Sequence, residues 1–188
     1  GESVIAEKLG DLMQRGRNPL INCTASGGII TLYIVATAEN KDVAGAMAAK
    51  DLLELRTILG DFAYGTDEQT LAQIVGEKLR EQQKTVAAGE SCTGGLVSHL
   101  ITGIPGVSRY FKGSVVAYAN EVKIKHLFVP SRIVKEHGAV SRQVARAMAH
   151  GVRRAMDADI GAAITGIAGP GGGTRNKPVG LAYIAVAT

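Results

Sequence analysis

The sequence predicts an α/β protein: a three-layer α/β/α domain over residues 66–188, preceded by a small α+β module over residues 1–65. Three observations carry this. Glycine is abundant at 24 residues, while aromatics make up 4% and Trp is absent; glycine turns between small-residue strands and helices suit an α/β protein better than a β-sandwich. From Thr85 onward, short apolar runs alternate with helical patterns as strand, helix, strand, helix, strand. Before that, the order is helix, strand, strand, helix. With 46% hydrophobic residues in 188, the chain has enough apolar surface to bury a real core.

Taken in order, Val4, Ile5, Leu9, Leu12 and Met13 recur at helical spacing, and Gly16 with Asn18-Pro19 ends the pattern. Residues 20–24 read as a strand, 25–28 as its turn and 29–37 as a longer β-branched strand. A second helix covers 41–59, with Val43, Met47, Leu52, Leu55 and Ile58 as its buried side. Thr66-Asp67-Glu68-Gln69 matches a capping box with Thr66 as N-cap. Leu71, Ile74, Val75 and Leu79 supply the apolar side of the helix that follows, which ends at 81 or 82. Next come a strand from Thr85, a tight turn at 89–95 and a helix carrying Leu96, Val97, Leu100, Ile101 and Ile104. Residues 113–118 form a strand that runs into a helical turn over 119–125. A short helix covers 131–137. A long one covers 141–156, with Val144, Met148, Val152 and Met156 spaced four apart as core. Residues 160–165 and 179–187 are the last strands, joined by a glycine loop.

Charge is unevenly spread. Residues 1–69 carry 6 basic and 10 acidic side chains, whereas residues 70–188 carry 15 and 7. The second part should therefore attract anions. Arg142, Arg146, Arg153 and Arg154 read as a solvated helix flank. In the first part, Ser26-Gly27-Gly28-Ile29 lacks the GxxG loop with basic neighbours that clamps a nucleic-acid backbone. A spacer or dimerisation role is expected there. No apolar run approaches the ~20 residues of a membrane span, and no basic segment followed by an apolar run opens the chain. Cys23 and Cys92 lie far apart without a CxxC pattern, which argues against a disulfide framework and for a reducing cytoplasm. His99, His126, His137 and His150 lack metal-ligand spacing, so no metal and no cofactor is expected.

Two stretches carry chemistry. Glu90-Ser91-Cys92-Thr93-Gly94-Gly95 joins a strand to a helix, where a nucleophile would meet helix N-terminal amides. The bland reading is an ordinary helix cap. The spacing does not separate Ser91 from Cys92, since a thiolate at a helix start is also a competent nucleophile. The second stretch, the loop 166–178, is a candidate anion cradle with Arg175 and Lys177 beside it. It is not a Walker A loop and misses the dinucleotide fingerprint, which wants Gly or Ala at Thr174.

Five motifs in order resemble the C-terminal domain of the CinA (competence/damage-inducible protein) family. They are Glu90-Ser91-Cys92-Thr93-Gly94-Gly95, Tyr118-Ala119-Asn120-Glu121-Val122-Lys123, Gly138-Ala139-Val140-Ser141, Thr165-Gly166-Ile167-Ala168-Gly169-Pro170 and Lys177-Pro178-Val179-Gly180. Residues 1–69 resemble that family's small KH-like middle module. The family domain also occurs alone as a nicotinamide mononucleotide (NMN) deamidase, so the resemblance implies hydrolysis of that amide to nicotinate mononucleotide and ammonia, in pyridine-nucleotide salvage. On this reading Ser91 is the nucleophile and Cys92 the alternative, while Lys123 and Tyr118 supply base and acid. Backbone amides around Thr93, Gly94 and Gly95 receive the oxyanion. Thr165, Gly166, Gly169 and Arg175 or Lys177 hold ribose or phosphate.

The resemblance also implies that the chain is a fragment. An N-terminal domain linked to ADP-ribose pyrophosphatase activity is missing, and so is the end of the α/β domain; a start at Gly1 and a stop at Thr188 within a strand pattern read the same way. The partner is a small mononucleotide, a homodimer is expected, and neither membrane nor nucleic acid is. The rival expectation is a non-catalytic nucleotide- or DNA-binding regulator.

Overall fold

A computed structural model describes residues 2–188, and the chain divides into two units, Gly1–Tyr64 and Gly65–Thr188. In the first unit, α1 (Glu2–Leu9) runs into a short 3-10 turn. Strands β1 (Leu20–Ser26) and β2 (Ile29–Val35) then pair as an antiparallel hairpin with Leu20 opposite Val35, and α2 (Lys41–Leu59) follows. Leu9, Leu12, Ile21, Leu55 and Leu59 form its core.

The inner face of α2 differs from the expected one. Asp51, Leu55 and Leu59 are its buried residues, while Val43 and Ile58 are exposed. The reason is an ion pair. The Arg17 guanidinium grips both oxygens of the Asp51 carboxylate and also donates to the Pro19 carbonyl at 2.7 Å. A search for apolar periodicity passes over a buried acid, although a buried charge is tolerable once it is paired.

In the second unit, α3 (Leu71–Glu81) leads to β3 (Val86–Glu90), α4 (Leu96–Thr102), β4 (Phe111–Val116), α5 (Asn120–Leu127), α6 (Ser131–His137), α7 (Arg142–Ala155), β5 (Ile160–Gly166) and β6 (Ala182–Ala187). One sheet runs in the order β4-β3-β5-β6, with β6 antiparallel to three parallel strands. Residues of β3 alternate between two cores, so helices cover both of its faces. Ala87 packs with Leu127, Val144, Met148 and Val152 of α5 and α7. Val86 packs with Leu79 and Ile101 of α3 and α4 and with Tyr110.

Several boundaries move. The capping box belongs to Thr70 and Gln73, not Thr66 and Gln69. The T-x-x-Q pattern occurs twice, and the first copy closes a tight turn through the left-handed Asp67 instead of starting a helix. Leu71 and Val75 face outward, and α3 buries Gly76 and Leu79. Strand β4 starts and ends two residues early, which frees 117–119 as a loop, and the expected helical turn extends into the two-turn α5. Strand β6 begins only at Ala182, because Gly180 and Leu181 are spent closing the glycine loop onto Ile167.

Helices α5 and α7 touch backbone to backbone at Gly151, where an ideal Cβ would lie 1.7 Å from the Leu127 carbonyl oxygen. No rotamer relieves a clash between a Cβ and a backbone atom. Gly151→Ala should therefore cost about 4 kcal/mol or more, the range reserved for core overpacking at its worst. Urea titration followed by circular dichroism measures this, and a loss below about 1 kcal/mol would contradict the packing.

Candidate active site

Ligands of open parallel α/β sheets bind beyond the carboxyl ends of the strands, and here that edge collects the sequence motifs. Residues 91–95 follow β3, the loop 117–119 follows β4 and leads into α5, and Thr165 with Gly166 ends β5. Glu90 pairs with Ile164 across the β3–β5 ladder, so Ser91 and Thr165 emerge at one level.

The turn after β3 is fixed at every corner. Ser91 N–H donates to the Ile164 carbonyl (3.0 Å), Gly94 N–H to the Ser91 carbonyl (3.1 Å) and Leu96 N–H to the Thr93 carbonyl (3.0 Å). Gly94 and Gly95 take φ of +60° and +107°, values that favour glycine. Among the described residues, the Ser91 hydroxyl has no hydrogen-bond partner. Nor do the N–H groups of Cys92 and Thr93, among the described residues.

Of the three amides expected to face the substrate, those of Gly94 and Gly95 are engaged elsewhere and that of Thr93 is open. Gly94 N–H closes the turn, and Gly95 N–H donates to the Glu90 carboxylate at 3.0 Å. The helix start is capped neither by Ser91 nor by Thr93 but by Glu90. Its Oε2 accepts from Gly95 and Val97, and its Oε1 accepts from the Ser98 amide (2.9 Å) and the Ser98 hydroxyl (2.5 Å). Burial pushes the Glu90 carboxyl up, but the Ser98 hydroxyl and the Ser98 and Val97 amides outweigh it and hold the group below the ordinary range. The Thr93 hydroxyl adds to that effect from outside hydrogen-bond geometry, being itself buried without a partner. In the sequence, Glu90 stands in the motif without an assigned role. The signal was an acid closing the fully buried run Val86-Ala87-Ala88-Gly89.

Lys123 is 1% exposed. One turn into α5, its Nζ doubles back to donate to the carbonyls of Ala117 (2.7 Å) and Tyr118 (2.8 Å). Burial lowers its pKa from the ordinary lysine value, and interactions with Cys92 and Glu121 only partly offset this. Cys92 thus lies within electrostatic reach of Lys123. It also packs on the end of β5, since a Cβ on Gly166 would stand 3.0 Å from the Cys92 sulfur and 2.7 Å from the Leu181 carbonyl oxygen. Tyr118 joins this group through its carbonyl, while its side chain is 76% exposed.

Thr165 is buried, and its hydroxyl donates to the Ala139 carbonyl at 2.9 Å. Lys177 Nζ donates to the His137 carbonyl at 2.8 Å, which ties the glycine loop to the end of α6. The segment 137–139 is thereby held from both sides. Gly169 lies against Val179, leaving no room for a Cβ, and Arg175 is exposed. No group of three His, Cys, Asp or Glu that could hold a metal occurs among the described residues. No helix among them is long and apolar enough to cross a membrane.

These features define a class: a mixed-sheet α/β domain with a Ser-Cys turn and a buried lysine converging at the carboxyl edge of its parallel strands. The chain belongs to the CinA family. Residues 68–188 match the CinA C-terminal domain, and residues 1–65 match the damage-inducible protein CinA KH domain. A CinA-like protein of Dictyoglomus turgidum is 48% identical over 98% of this chain and 45% of its own length, and one of Gloeobacter violaceus is 47% identical over 99% and 43%. The chain therefore spans less than half the length of these curated relatives. Among solved structures, the competence/damage inducible protein CihA of Agrobacterium tumefaciens is 41% identical with a TM-score of 0.61, over 62% of this chain and 70% of that one. A CinA superfamily protein of Escherichia coli is 26% identical with a TM-score of 0.57, over 69% and 84%.

Proposed function

We propose that the α/β domain deamidates nicotinamide mononucleotide to nicotinate mononucleotide and ammonia. The observation that carries this reading is the buried Lys123 amine, held by the carbonyls of Ala117 and Tyr118 with one further hydrogen-bonding position left on Nζ, in a loop whose Ala117 N–H bonds the Glu90 carbonyl just before Ser91. A desolvated lysine of lowered pKa is a competent base next to a serine.

In this reading Ser91 Oγ attacks the carboxamide carbon and neutral Lys123 takes its proton. The carbonyl π pair moves onto oxygen, where the N–H groups of Cys92 and Thr93 receive it. Collapse of the intermediate breaks the C–N bond, and the Lys123 proton leaves with the amine as ammonia. Water then attacks the acyl-serine with Lys123 again as base, releasing the carboxylate and restoring Ser91. Tyr118 keeps the second acid–base position, on an exposed ring that must swing over the bound substrate to use it. Thr165 and the glycine loop flank the ribose. Arg175 takes the phosphate, because Lys177 is committed to the His137 carbonyl.

The test is ammonia release from nicotinamide mononucleotide by the purified full-length protein, with nicotinate mononucleotide identified by mass spectrometry. A folded protein that binds the mononucleotide yet releases neither product would defeat the reading.

A further inference from the structure

We propose that Glu90 is a positioning residue for the Ser91 chemistry: its carboxylate decides which backbone amides the substrate meets. This rests on the deamidase reading above. Glu90 is 1% exposed, a level at which acids are almost never found unless paired, and no basic side chain pairs with it among the described residues. Its compensation is four donors, the amides of Gly95, Val97 and Ser98 and the Ser98 hydroxyl, all within 3.0 Å. Its own carbonyl accepts from Ala117 N–H at 2.6 Å. The residue before the nucleophile is thus tied by its side chain to α4 and by its backbone to the loop whose carbonyls hold the Lys123 amine.

Two consequences follow from those bonds. First, the carboxylate joins residue 90 to residue 95 and so clamps both ends of the turn that holds Ser91. Gly94 and Gly95 are the residues of this turn best able to pivot, and the clamp on Gly95 confines them together with the backbone bonds of Ser91, Gly94 and Leu96. Second, the amides at the start of α4 are filled by an internal anion. The N–H groups left open are those of Cys92 and Thr93, and an oxyanion must come to them. Loss of the carboxylate should release the Gly94-Gly95 pivot, and a displacement of about 1 Å at a reacting group costs about 100-fold in rate.

The experiment compares wild type, Glu90→Gln and Ser98→Ala in the full-length protein. Expected for Glu90→Gln is a kcat for nicotinamide mononucleotide about 100-fold lower, with KM within about threefold, since the carboxylate touches no part of the substrate. A purely structural role would lower thermal stability and the active fraction but leave kcat per folded molecule unchanged. Should Glu90→Gln fail to fold, Ser98→Ala decides: it removes one donor while the carboxylate stays, and kcat should fall about tenfold with the fold retained. The outcomes separate the two claims. A wild type that releases no ammonia overturns the deamidase reading and the role of Glu90 with it. An active wild type whose folded Glu90→Gln variant stays within threefold of its kcat overturns the role of Glu90 alone, as does an unaltered Ser98→Ala where Glu90→Gln does not fold.

Discussion

Ser91→Ala should lower ammonia release from nicotinamide mononucleotide by about 10⁴-fold or more, the loss seen when a hydrolase nucleophile acting with its base is removed. Binding of the product mononucleotide should be retained. Ser91 sits at the carboxyl end of the central strand with its amide on Ile164 and its hydroxyl unpartnered among the described residues, so alanine removes a reacting atom without disturbing a bond that holds the turn. Cys92→Ala is the counterpart. The Cys92 sulfur rests beside Gly166, and the part of the residue used in the proposed mechanism is its N–H, which alanine keeps. Activity of Cys92→Ala should stay within about tenfold of wild type. Steady-state ammonia assays with isothermal titration of the product measure both variants. Activity that survives Ser91→Ala and vanishes in Cys92→Ala would move the nucleophile from oxygen to sulfur.

How much of this was legible in the sequence depends on the kind of interaction. The helices 41–59 and 131–137 were readable to the residue, because each has a sharp local signal: Asn40 before Lys41 as a capping side chain, and Pro130 before Ser131 with Gly138 after His137. The stripe Val144, Met148 and Val152 was readable because α7 keeps one apolar face over four turns. What escaped was polar and non-local. Asp51 is buried by an arginine 34 positions away, and Glu90 is buried by amides five to eight positions on. A pattern of apolar spacing codes neither. The open amides of Cys92 and Thr93 were hidden for the same reason, since their freedom depends on what Glu90 has already taken. Lys123 was visible as a residue of the right chemistry at the right place in the order of motifs. Its burial and its two carbonyl partners required the loop 117–119 to fold back over it.

Lys123→Met should lower kcat by about 10³-fold, within the range for removal of a positioned general base. Lys123→Arg should be no better, because a guanidinium does not give up its proton at any working pH. The wild-type pH profile carries the sharper consequence. Burial lowers the Lys123 pKa below its ordinary 10.5, and only the neutral amine can take the Ser91 proton. Activity should therefore rise with pH as Lys123 deprotonates, along a limb that ends below 10.5. Stability should move in the same direction. Between the folded-state pKa and 10.5 the unfolded chain holds a proton that the folded chain has released, so stability rises with pH across that window. Below the window both states are protonated and the cost of burying the charge is fully present; above it neither state is protonated and the cost is gone. Lys123→Met has no such charge to bury, so its stability should lack this rise, even though the Ala117 and Tyr118 carbonyls lose a donor at every pH. Rate profiles and thermal melts from pH 6 to 10 test both halves. A flat wild-type rate profile over that range, or a Lys123→Met variant within tenfold of wild type, would remove Lys123 from the chemistry and leave it as a strut for the 117–118 loop.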